Sequence, residues 1–194
     1  KGNRPEVAVI RTATMPGGQS KALAEEHGFF ADRIQGFTTD GFTIGDQDEV
    51  NRSGVTYAWI AFSAEPGQFS AGTYTGSGML LRSVTGLGFQ PDLVFVLPST
   101  NRPPVWRSAV MPSSSGMGFD TAGLELGLFS QFLSDGFQVG WDSRVNQLGV
   151  GYHYVAWKAT ASTLAVGSYE GDGSNAHNVH NLSLTPEWVL VKRD

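Results

Sequence analysis

Large apolar residues alternate with small or polar ones over much of this chain. In Phe137-Gln138-Val139-Gly140 and in Tyr152-His153-Tyr154-Val155-Ala156-Trp157 they recur at period two, the spacing of a half-buried strand. Turn signals punctuate these runs. Asp40-Gly41, Asp135-Gly136 and Asn51-Arg52-Ser53-Gly54 supply glycine for positive φ and short polar side chains that bond their own backbone. Proline stands at the start of three further runs, at Pro5, Pro91 and Pro186, where a strand needs no ladder donor. One segment breaks the period. Ser20-Lys21-Ala22-Leu23-Ala24-Glu25-Glu26-His27 holds good helix formers behind a Ser20 cap, and Gly28 sits where a helix would stop. Its counterpart, 121–129, is interrupted by glycine and predicts one helical turn at most. The pattern therefore predicts an all-β protein with one short helix.

The pattern also repeats at a spacing of 95 residues. Asp40-Gly41-Phe42 returns as Asp135-Gly136-Phe137, and Val50-Asn51 with Gly54 and Tyr57 returns as Val145-Asn146 with Gly149 and Tyr152. Gly72-Thr73-Tyr74-Thr75-Gly76-Ser77-Gly78 returns as Gly167-Ser168-Tyr169-Glu170-Gly171-Asp172-Gly173, and Pro91-Asp92-Leu93-Val94 as Pro186-Glu187-Trp188-Val189. Turn glycines, apolar alternation and proline are repeated, while acids, bases and nucleophiles are not. Two linker-like stretches, 63–68 and 159–163, fall at equivalent places. They divide the chain into a first β repeat over 1–66, a second over 67–163, and 164–194 as the start of a third or as strands that complete the assembly. The expected architecture is two tandem β-sandwich-like repeats plus a terminal extra β-hairpin. The chain reads as beginning inside one unit and stopping inside another. The proline-rich stretch 98–115 reads as a surface loop, with recognition as its functional alternative.

Composition narrows the function. The 194 residues are 40% hydrophobic but only 16% charged, with 25 glycines, which suits a β-rich protein whose surface is polar but largely uncharged, or one partly covered by neighbours. A net charge of −5 and the lack of any basic run argue against nucleic-acid binding. There is no cysteine, hence no disulfide or thiolate site, and no apolar run approaches the roughly 18 residues of a membrane helix.

Candidate chemistry adds little. His177 and His180 are three apart, which in extended chain puts them on opposite faces, so no metal is expected there. Asp46-Gln47-Asp48-Glu49 resembles a calcium loop loosely, but its counterpart is Trp141-Asp142-Ser143-Arg144, so turn formation is the expected role. The glycine clusters lack the helix and lysine of a phosphate loop. No catalytic residues, cofactor or metal are expected. Trp59 and Trp157 are matched by Tyr154 and Phe62 at the repeat spacing and read as core. Trp106 and Trp141 have no aromatic counterpart, and with Arg107 they are the candidate ligand or partner contacts.

Taken in order, Ser134-Asp135-Gly136-Phe137-Gln138-Val139-Gly140, then Val145-Asn146, Gly149 and Tyr152-His153-Tyr154-Val155-Ala156-Trp157-Lys158, then Gly167–Gly173 and Pro186-Glu187-Trp188-Val189-Leu190-Val191-Lys192-Arg193-Asp194, resemble a tandem β repeat of tailed-bacteriophage virion proteins. The resemblance covers nearly all of the second copy and is weaker over 2–37. Val9-Ile10-Arg11 and Val96-Leu97-Pro98 lack the Lys-Arg-Asp ending. It implies a non-enzymatic structural component of a tail, fibre or capsid surface, located in the virion. Such a component would pack against itself as a homo-oligomer and against other virion proteins. The alternative is a carbohydrate-binding module that attaches to host-surface glycan.

Overall fold

The computed structural model describes residues 8–176, 178–180 and 182–193. The protein is all-β: fourteen strands and two one-turn helices among the described residues. The strands are β1 (Val9–Ile10), β2 (Gln19–Ala22), β3 (Phe30–Ala31), β4 (Ile34–Phe37) and β5 (Phe42–Ile44), followed by helix α1 (Asp48–Asn51). Then come β6 (Phe69–Thr75), β7 (Arg82–Thr85), β8 (Leu93–Pro98), β9 (Val105–Ser108), β10 (Ser115–Gly118), β11 (Leu124–Leu126), β12 (Phe129–Leu133) and β13 (Gly136–Val139). Helix α2 (Ser143–Asn146) and β14 (Gly151–Trp157) complete the set.

A six-stranded antiparallel sheet, in the order β11-β10-β9-β8-β14-β6, carries most of the pairing. Strand β14 comes last in the chain yet lies between β8 and β6, with Trp157 opposite Leu93 on one side and Phe69 on the other. A three-stranded sheet, β12-β13-β7, supplies the second layer. Phe129, Phe137, Val139 and Val84 from that sheet meet Tyr74, Val94, Val96, Val105, Tyr152, Tyr154 and Ala156 from the larger one in a single buried cluster. Period two explains this split. Alternate residues of β14 enter the core, while His153, Val155 and Trp157 turn to the other face.

Hydrogen bonds recur along the chain at nearly the sequence spacing. Hairpin β4–β5 has a bulge between Ile34 and Gly36, and β12–β13 has one between Phe129 and Gln131, each 95 residues on. Gly45 N donates to Arg33 O as Gly140 N does to Leu128 O, and Gln47 N to Asp32 O as Asp142 N does to Gly127 O. In β1–β2 the spacing is 96: Met15 N donates to Thr12 O and Met111 N to Ser108 O. Strand β1 thus takes the place of β9, and Arg11-Thr12-Ala13-Thr14-Met15-Pro16 is the counterpart of Arg107-Ser108-Ala109-Val110-Met111-Pro112. Pro5, which leads the first of the three proline-entered runs, lies outside the described residues.

Four expectations are corrected. Helix-forming composition over 20–27 is overruled by tertiary pairing: Lys21 and Ala22 pair with Ile10 and Val9, and Ser20 Oγ accepts from Ile34 N. The two helices that do form are single turns at the Val-Asn positions, read from sequence as plain turns. The stretch 98–115 is not all loop. Pro103 and Pro104 are buried and lead into β9, where the first residues need no ladder donor. Finally, the described residues of 164–193 contain no strand, so the expected terminal hairpin is not seen among them.

Candidate contact surface

Of the three residues singled out from sequence, Arg107 is structural. It is buried on β9, and its guanidinium donates to the carbonyls of Pro112 (2.6 Å), Ser115 (2.6 Å) and Met111 (3.1 Å), closing the β9–β10 turn from inside. Burial lowers its pKa from the ordinary arginine value. Arg11 holds the β1–β2 turn in the same way, through Pro16 O and Gln19 O. The signal for this role was the shared Arg-Xaa-Ala-Xaa-Met-Pro run.

Trp106 lies on β9 and faces away from the main core. Its ring packs against Phe95 and Phe119, and Phe95 in turn meets Trp157 at 5.1 Å. Trp157 touches Phe69 and Phe62, both at 5.3 Å. A continuous aromatic strip therefore crosses the outer face of the large sheet, from Trp106 through Phe95 and Trp157 to Phe62. It arises because β9, β8 and β14 each place an aromatic at an outward register position: Trp106 opposite Phe95, and Leu93 beside Trp157. The indole N–H groups of Trp106 and Trp157 are both buried without a hydrogen-bond acceptor. Sequence reasoning assigned Trp157 to the core; the structure puts it at the centre of this strip.

Trp141 stands apart. It is 61% exposed, and its ring covers Gly127, which has φ +83° and no room for a Cβ. Trp141 is thus exposed where Arg107 is buried, and its ring lies on Gly127 outside the aromatic strip of Trp106.

Below Trp141 the chain is pinned by a polar node. Arg144 makes two bonds to Glu125 (2.8 and 2.6 Å) and also bonds the Asp142 carboxylate (3.1 Å). Burial alone would raise the Asp142 pKa, but hydrogen bonds from Arg144 hold it below the ordinary value. Buried Asn146 uses its whole amide. Its Nδ2 donates to Met79 O (2.8 Å) and Gly140 O (3.0 Å), and its Oδ1 accepts from Ser77 N (2.8 Å) and Ser77 Oγ (3.1 Å). Tyr152 Oη donates to Ser143 O (2.7 Å) and accepts from Gln147 N (2.8 Å). These groups fix a turn.

In the first half, Asn51 Nδ2 donates to Gly45 O (2.8 Å), and Tyr57 Oη bonds Asp48 O (2.7 Å) and Arg52 N (3.0 Å). The acidic stretch 46–49 is bound up in this turn. Glu49 pairs with buried Arg33 at 3.0 Å, and Asp48 gives its carbonyl to Tyr57. Among the described residues no group of three or more His, Asp or Glu is placed to hold a metal ion; His177 lies outside them. Comparison with protein-family models, with curated proteins and with solved structures gave no match.

Proposed function

We propose that this chain is a non-enzymatic structural component of a bacteriophage particle that acts by assembling with itself and with other virion proteins. One observation carries the assembly part. The segment Thr56–Phe62 exposes Trp59 (69%), Ile60 (56%) and Phe62 (56%), and Trp188–Val191 exposes four consecutive apolar residues. Apolar runs of this kind in extended chain demand a cover. The particle itself is suggested by the resemblance of the Gly167–Gly173, Pro186–Arg193 and Asp135–Trp157 motifs to virion repeats. Light scattering over a range of concentrations tests the assembly: an oligomer is expected, and a monomer at every concentration overturns it.

A second reading is favoured by the aromatic strip. Trp106, Phe95 and Trp157 form a half-buried aromatic strip whose rings meet edge to face, and aromatic faces of this kind stack against sugar rings. In that reading the chain is a carbohydrate-binding module for host-surface glycan. A glycan array gives signal that Trp157→Ala abolishes if it holds.

A further inference from the structure

Thr56–Phe62 is the counterpart of β14, the central strand of the large sheet, and it already sits as that strand does. Trp59 packs on Phe42 (5.7 Å, edge to face) as Tyr154 packs on Phe137 (5.2 Å, edge to face). Tyr57 locks onto α1 as Tyr152 locks onto α2. Tyr57 and Trp59 thus already have partners, although Trp59 stays 69% exposed, and the segment forms no strand and no ladder bond with any described residue, so both of its edges are open. In the second half those edges are filled by β6 and β8. The chain contains a second copy of both strands. Leu164–Glu170 is the counterpart of β6 and Trp188–Arg193 that of β8, each 95 residues on, and neither is a strand where it stands.

We propose that Leu164–Arg193 of a second copy of this chain adds to Thr56–Phe62 as its two flanking strands. This rests on the assembly reading and names the surface that performs it. The β14 register fixes the pairing: Phe62 lies opposite Leu164 on one side and Trp188 on the other, with Tyr57 opposite Arg193. Side chains agree with this register. Gly72 faces Tyr154 so closely that any Cβ there would overlap the ring, and the residue that comes opposite the larger Trp59 is Gly167. Tyr74 Oη donates to Val145 O (2.7 Å), and its counterpart Tyr169 comes opposite Val50 O. Asn146 takes a bond from Ser77 N and gives one to Met79 O; the corresponding backbone groups for Asn51 belong to Asp172 and Ser174.

A second copy is favoured over the same chain by where the segment goes. Phe62 stacks beside Phe69 at the β6 edge of the sheet. Lys192, which this register puts opposite Ala58, instead donates to Ala122 O (2.5 Å), beside β11 at the other edge of that sheet, five strand spacings or about 24 Å from β6. Strand addition of this kind supplies main-chain hydrogen bonds for affinity and side-chain register for specificity.

The absence of native cysteine makes the test direct. Two full-length chains with different tags, Ala61→Cys and Ala165→Cys, are co-expressed and oxidised. These positions correspond to the cross-strand pair Ala156 and Ser70, whose Cα separation suits a disulfide. A mixed disulfide dimer is expected, with none when Ala165→Cys is replaced by the out-of-register Ser168→Cys. The double variant Ala61→Cys/Ala165→Cys closing on itself as a monomer at all concentrations overturns the proposal. So does an oligomer by light scattering without the mixed disulfide, which leaves assembly standing by another surface. A monomer without any disulfide overturns both.

Discussion

Tyr152 shows how much one hydroxyl can organise. Its ring is fully buried, stacked on Tyr74 at 5.0 Å, while its oxygen bridges both ends of the α2 turn. Burial raises its pKa, since an anion there would be desolvated. Tyr152→Phe keeps the ring and strands Gln147 N–H and Ser143 C=O, so it is expected to lower stability by about 1–2 kcal/mol in urea unfolding. The role was half visible in sequence. The repeat placed Tyr57 and Tyr152 at matching positions, but period two specifies only the face of a strand, not the partner of an oxygen. Arg33 was not visible at all. It is buried against Phe30 and paired with Glu49, whereas its counterpart is Leu128 and the counterpart of Glu49 is Arg144. The two halves solve the same packing problem with different chemistry, and no local pattern announces that.

Strand β2 shows at the element scale why composition misled. Lys-Ala-Leu-Ala-Glu-Glu favours a helix locally, but β1 and β3 lie on either side and claim its backbone. The result is a lysine in a buried strand. Lys21 Nζ donates to His27 O and Thr100 O, and burial lowers its pKa to about 8. The unfolded chain therefore holds this proton up to about pH 10.5, while the folded chain releases it from about pH 8. Between those values the unfolded state binds more protons, so stability rises with pH from this group. The difference in unfolding free energy between wild type and Lys21→Met is expected to shift in favour of wild type across that window, measured by urea titration at pH 7.5, 9 and 10.5. The elements that were legible are those with turn chemistry and strict alternation, β13 and β14 above all. Strand β9 was hidden because Pro103-Pro104 signals a loop, although prolines are tolerated where a strand begins.

For the molecule as a whole, every member of the main buried cluster lies between Tyr74 and Ala156. The core is thus self-contained, although Thr14 and Phe29 lean on it through His153. Residues 67–163 alone are expected to fold with a single cooperative unfolding transition, while 1–66 alone is not; circular dichroism with urea reads both. Alternation and turn residues made the all-β class legible early, and recurring motifs the 95-residue spacing. Which strands flank which was not, because pairing between distant segments leaves no mark on local periodicity.

The position of β14 has a further consequence, for synthesis. A ribosome makes this strand last in its half of the chain, yet it is the strand that joins β8 to β6. From Phe69 onward, two long apolar edges wait unpaired until Trp157 has emerged. At ordinary elongation rates that is roughly 5–20 seconds of exposure for about 90 residues. Such non-local closure belongs with slow, millisecond-to-second folding. Nascent copies made side by side on one message would meet with these edges still open, so crowded translation is where mispaired strands would arise.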